Sequence, residues 1–160
     1  MQPRIVGPVA ALVASAGLLS PTAYDHLAYA VIKFDPAKVT PTANFAGFAI
    51  NGIGPDPDFR QPACTDGAAT GNQCGLITTM PGPGPARNMN GCPFQPGDEG
   101  RPVTSDNLLI GVARNGWWTA PGFSVPHPAR PESFLTLFSA IMNDVNAKGS
   151  PGAGFSPIPA

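Results

Sequence analysis

Few side chains in this sequence are of a kind that does chemistry, and their spacing is loose. The two histidines, His26 and His127, stand far apart, and His127 lies between prolines in "VPHPAR". Carboxylates pair up in "GPDPDF" (Asp56, Asp58) and in "GDEG" (Asp98, Glu99). Acid–base work by two carboxylates needs surroundings that push their pKa values apart, and neither stretch has the apolar flanks that burial would require. Both read as surface turns, and neither matches a calcium-loop ligand pattern. A nucleophile elbow, a phosphate-binding glycine loop and an H-E-x-x-H pair are all missing. A hydrolase built on His127 lacks a partner for its imidazole, and His26 lacks a second ligand with which to hold a haem or pigment. The expectation is no catalytic, cofactor-binding or metal-ligating residue, and hence no enzyme.

The cysteines are more informative. Cys64, Cys74 and Cys92 show no C-x₂-C spacing and no neighbouring histidine pair, which argues against zinc; C-x-x-C-H for haem attachment is also absent. Two of the three can staple the chain, and closing a loop of roughly ten to thirty residues contributes about 3 kcal/mol in the chain-entropy picture. Cys64 with Cys74, around the small polar loop "TDGAATGNQ", is the preferred pair; Cys74 with Cys92 is the alternative. A structural disulfide implies an oxidising compartment. The tandem Trp117-Trp118 offers a ligand platform or an interface anchor, and the interface role is favoured because large aromatics dominate burial at interfaces.

The elements that must position these residues are drawn from an unusual composition. Nineteen glycines and 21 prolines make up a quarter of 160 residues, and charged residues are only 12 %, about half the usual share. Leu, Ile, Val and Phe together are about a fifth of the chain, near the level at which a self-sufficient core becomes doubtful. Such a chain is expected to gain order against other chains. With nine Lys and Arg and a net charge of −1, it offers little to neutralise phosphates, and nucleic acid is excluded as a partner.

Residues 1–24 form a hydrophobic segment. From Ile5 to Tyr24 there is no charge, and about twenty such residues span a hydrocarbon layer. Gly7, Ala11 and Ser15 recur every four positions, a small-xxx-small spacing that lets a second helix approach closely in lipid. The segment also reads as a secretory signal, with Arg4 ahead of it and cleavage after Ala16 or Ala30; the retained anchor is the favoured reading. Residues 25–53 read as an extension of that helix followed by a hairpin, a strand over Phe45–Ile50 turning at Asn51-Gly52. Residues 54–102 are more than a third Gly and Pro, include "MPGPGPAR", and are expected to be extended, with few internal contacts. In residues 103–130, Leu108–Ala113 is expected to pair back through Asn115-Gly116 onto Trp117-Trp118. Over residues 131–149 the apolar positions Phe134, Leu135, Leu137, Phe138, Ile141, Met142 and Val145 fit a helical stripe, begun by Pro131 and stopped by Gly149. Residues 150–160 read as an extended tail.

The fold class expected is therefore an irregular, loop-rich α+β protein with an N-terminal transmembrane helix, one or two short β-hairpins and a C-terminal amphipathic helix. The function expected is that of a non-catalytic structural or accessory subunit of a membrane-associated assembly, its body outside the cytoplasm. Its partners would be other protein subunits, and membrane lipid through residues 5–24. Trp117, Trp118, Phe134, Leu137, Phe138 and Ile141 would supply the interface. The alternatives are a secreted ligand- or carbohydrate-binding protein with its signal cleaved, and a minor virion structural protein.

Overall fold

The structure, a computed structural model, describes residues 27, 29, 44–45, 47–67, 70–95, 97–115, 133–149 and 152–157. The segments expected to carry the anchor (with Gly7, Ala11 and Ser15), His26, His127 and the Trp117-Trp118 pair lie outside the described residues.

Six strands close into an antiparallel barrel: β4 (Pro62–Gly67), β5 (Gly71–Ile77), β6 (Ala86–Asn90), β7 (Pro102–Ser105), β8 (Leu108–Asn115) and β9 (Ser133–Leu137). Going round the ring, β8 pairs with β7, β7 with β4, β4 with β5, β5 with β6, and β6 with β9; β9 pairs back onto β8 and closes it. Outside the ring, β1 (Asn44–Phe45) and β2 (Phe48–Ala49) form a small hairpin, and β3 (Gly52–Ile53) adds to β8 in parallel. The helix α1 (Phe138–Lys148) follows β9 directly.

Two apolar layers result. The barrel interior takes residues from all six strands: Ala63, Ile77, Met89, Val103, Ile110, Ala113, Leu135 and Leu137, with Cys92 and Phe94 from the loop after β6. The outer layer packs Phe138, Ile141 and Val145 of α1, with Phe48 and Ile50, onto Leu109 and Val112 of β8. One strand serves both layers because the β7–β8 register slips between Val103 and Thr104, leaving Ile110 as the extra residue. A bulge of this kind shifts the in–out alternation. Leu109 and Val112 therefore face outward while Ile110 and Ala113 face inward.

Several expected elements are corrected by specific contacts. Residues 54–102 are not an extended run with few internal contacts: they supply β4, β5, β6 and the start of β7. Its polar strands, "PACTDG" and "GNQCGLI", pair along their whole length from Pro62↔Leu76 to Gly67↔Gly71. Asn51-Gly52 is not a hairpin turn; the β1–β2 turn falls several residues earlier, at Gly47 (φ 85°), and Gly52 starts β3. Leu108–Ala113 is a strand as expected, but its hairpin partner precedes it. Asp106 and Asn107, both left-handed (φ 51° and 60°), make the two-residue turn that suits a tight hairpin. The C-terminal stripe divides into two elements. Phe134, Leu135 and Leu137 belong to β9, and only Phe138 onward is helical; the N-cap position, Leu137, makes no side-chain capping bond. The stop at Gly149 is where the sequence places it, in left-handed conformation (φ 58°) with its N–H donating to Asn146. Among the described residues no helix is long and apolar enough to cross a membrane.

Candidate functional site: a turn locked by a buried ion pair

The loop from β6 to β7 runs "GCPFQPGDEGRPV" and ends in a tight turn at residues 97–100. Gly97 and Gly100 both have positive φ (100° and 82°), a conformation a Cβ disfavours. Between them, alternate residues go to opposite environments. Asp98 is 1 % exposed, whereas Glu99 is exposed, its carboxylate accepting a hydrogen bond from the Gly97 N–H at 2.8 Å.

Asp98 is held by a dense set of donors. Its carboxylate accepts from the Gln95 N–H (2.9 Å), the Thr70 N–H (3.3 Å) and the Thr70 hydroxyl (2.9 Å). It also faces the Arg101 guanidinium, Nη1 to Oδ1 at 3.4 Å. Arg101 is itself buried, donates from Nη1 to the Thr70 hydroxyl at 2.7 Å, and lies over the Phe94 ring with its central carbon 4.3 Å from the centroid. Burial pulls the Arg101 guanidinium below its usual range, and the Asp98 carboxylate works in the opposite direction. Thr70 and the turn meet only because residue 67 is glycine: a Cβ there would overlap both Arg101 Nη1 and Asp98 Oδ1. The main chain completes the anchorage, with the Gly100 N–H donating to Ala113 and the Ala113 N–H to Arg101.

The hairpin that delivers Thr70 is stapled. Cys64 and Cys74, directly opposite on β4 and β5, form a disulfide. A structural disulfide of this kind is characteristic of proteins that fold in an oxidising compartment. Cys92 is a free, buried thiol whose pKa is raised by burial. The remaining expected interface residues are engaged within the chain itself. Phe134 is half-buried on β9, Leu137 lines the barrel, and Phe138 and Ile141 pack in the outer layer.

Asp98 and Glu99 were legible as a carboxylate pair, but their separation into a buried and an exposed partner was not, and Arg101 and Thr70 carried no signal of their own. Two glycines bracketing an acidic pair, followed by Arg101 and a proline-led apolar strand, were the available hint of a turn entering the core.

No protein-family model matches the sequence, and no curated protein matches it. Solved structures do share its fold. Thermobifida fusca protease A superposes with a TM-score of 0.50 at 16 % identity, covering 68 % of this chain and 60 % of that one. Cellulomonas bogoriensis chymotrypsin superposes with a TM-score of 0.50 at 22 % identity, covering 71 % of this chain and 62 % of that one. The six-stranded barrel thus resembles the fold of these two proteins, and the chain spans about three-fifths of their length. This likeness, one of fold, overturns the expectation of a helix-anchored, loop-rich α+β protein. It likewise contradicts the readings of a membrane-bound, non-catalytic accessory subunit and of a chain outside the enzyme classes, since the solved structures that share the fold are those of a protease and a chymotrypsin.

Proposed function

We propose that the chain is a secreted, protease-like domain directed at polypeptide, with the Glu99 carboxylate as the group it presents to the bound segment. The observation that carries this reading is the 97–100 turn, which displays one exposed carboxylate between residues fixed by a buried ion pair. A working group needs a rigid support of this kind if it is to meet a substrate in one geometry. The likeness in fold to proteases supports polypeptide as the substrate class, and the disulfide supports export.

At this face the turn offers the exposed Glu99 side chain. Its carboxylate accepts hydrogen bonds from a peptide N–H or a cationic side chain. In the proposed cleavage it takes a proton from water as that water adds to a peptide carbonyl and returns it to the departing amine. The test is a library of fluorescent peptides titrated with the full chain, each mixture then read by mass spectrometry for cleavage. Saturable binding that weakens in Glu99→Ala is expected; where turnover accompanies it, Glu99→Gln should lower the rate by about 10²–10⁴. Absence of saturable binding and of cleavage across the library would overturn the reading.

A further inference from the structure

The Thr70 hydroxyl, at the end of the β4–β5 connection, meets both members of the buried ion pair. Arg101 carries five N–H donors. Nε and Nη2 are buried without a hydrogen-bond partner, and the hydrogen bond from Nη1 goes to Thr70. That hydroxyl in turn donates to Asp98 Oδ2. The ion pair itself is long, at 3.4 Å, so one side-chain oxygen bridges cation and anion more closely than they approach each other.

We propose that Thr70 is a positioning residue: its hydroxyl, carried on the disulfide-stapled hairpin, holds Asp98 and Arg101 in register and thereby fixes the turn that presents Glu99. This deepens the reading of Glu99 as the working group and rests on it for its consequence in function, but the positioning itself is measurable without any peptide. Three features make the coupling mechanical. Gly67 lets the hairpin tip touch the pair without overlap. The Cys64–Cys74 bond fixes the strands that carry the tip. Asp98 and Arg101 lie immediately either side of Glu99-Gly100, so a shift of either residue is passed directly to the turn between them.

The test compares Thr70→Val, which keeps the shape and removes the hydroxyl, with Thr70→Ser, which keeps the hydroxyl. Both are examined as isotope-labelled full chains by NMR. In the wild type the Gly97 amide should shift as the Glu99 carboxylate titrates, since the two are hydrogen-bonded, and the Thr70 hydroxyl proton should exchange slowly. In Thr70→Val the Gly97 titration shift should shrink and the Gly100 amide should exchange about tenfold faster or more, while Leu109 and Val112 on the far layer keep their protection. Thr70→Ser should restore both signals, an outcome that a purely space-filling role would not produce. Unchanged Gly97 and Gly100 signals in Thr70→Val, or a Thr70→Ser variant as defective as Thr70→Val, would overturn the proposal. Should Thr70→Val fail to fold, a rapidly exchanging Thr70 hydroxyl in the wild type would overturn it independently. Failure of peptide binding with these signals intact would count against the Glu99 reading alone.

Discussion

Asp98 and Arg101 illustrate how a buried charge is tolerated only in company. Removing the Asp98 carboxylate would take the strongest counter-charge from the Arg101 guanidinium, 5 % exposed, and leave it the weaker attraction of Asp66 and Glu99. Stranding one member of a buried pair costs about 3–5 kcal/mol, so Asp98→Ala should lower the urea midpoint steeply. Asp98→Ala combined with Arg101→Leu should recover part of the loss, because no uncompensated charge then remains. A double variant as unstable as the sum of the two singles would show that the pair is not coupled. Tyr29 offers a test against pH. Its hydroxyl donates to Asp144, and its pKa is raised from 10.0 to about 12, first by burial and then by the hydrogen bond and charge of Asp144. The neutral phenol is the stabilised form, so its contribution is complete below pH 10.0 and disappears as pH rises to about 12. Asp144 moves the other way, its carboxylate held low by hydrogen bonds from Lys148 and then Tyr29, so its contribution is lost as acid protonates it. Thermal unfolding followed through the alkaline range should decline less in Tyr29→Phe than in the wild type; parallel declines would remove Tyr29 from the account.

At the scale of elements, strand packing depends on glycines that let backbones meet. A Cβ at Gly75 on β5 would overlap the Asn90 carbonyl oxygen of β6, and backbone cannot swing aside as a long side chain can. Gly75→Ala should therefore destabilise by about 1–3 kcal/mol, whereas Gly84→Ala, with nothing within 4 Å, should stay within about 0.5 kcal/mol. Equal effects in chemical denaturation would mean that β5 and β6 can separate freely. The same elements show what could be read in advance. The Cys64–Cys74 proximity and the Gly149 stop rest on local spacing and local backbone conformation, and such features survive in the sequence. The strands of residues 54–102 did not, because "CTDG" buries only Thr65, "GNQC" buries no side chain, and neither shows apolar alternation. Counting large apolar residues in that segment alone undervalued it, since Ala63, Ile77, Met89 and Phe94 share a core with β7, β8 and β9. Over 134–145 a strand of alternating apolar residues runs straight into a helix, and the two periods merge into one plausible helical stripe. The break between them is imposed by pairing with β6 and β8, which no local pattern records.

For the molecule as a whole, closure of the ring is what binds distant parts of the chain into one unit. Strand β9 pairs with β6 through Ala86↔Thr136 to Met89↔Ser133, and with β8 through Gly111↔Leu137 to Asn115↔Ser133. It thus covers two edges that would otherwise present open backbone donors and acceptors, the usual template for edge-to-edge association. It also sends Leu135 and Leu137 into the interior, while α1 carries Phe138, Ile141 and Val145 into the outer layer. Each such side chain contributes about 1.5–3 kcal/mol when fully buried, so these five together are comparable with the entire net stability of an ordinary domain, about 5–15 kcal/mol. A graded truncation follows from this. Ending the chain at residue 149 removes Phe155, which meets the Phe138 ring edge-on at 6.0 Å, and should lower stability modestly while leaving one cooperative transition. Ending it at residue 132 opens both edges and both layers at once. That shorter chain should lose cooperative unfolding by circular dichroism and sediment as aggregates, even with the Cys64–Cys74 bond intact. A monomeric, cooperatively unfolding chain ending at residue 132 would show that β4 to β8 hold together as an open sheet and that barrel closure is not what stabilises this protein.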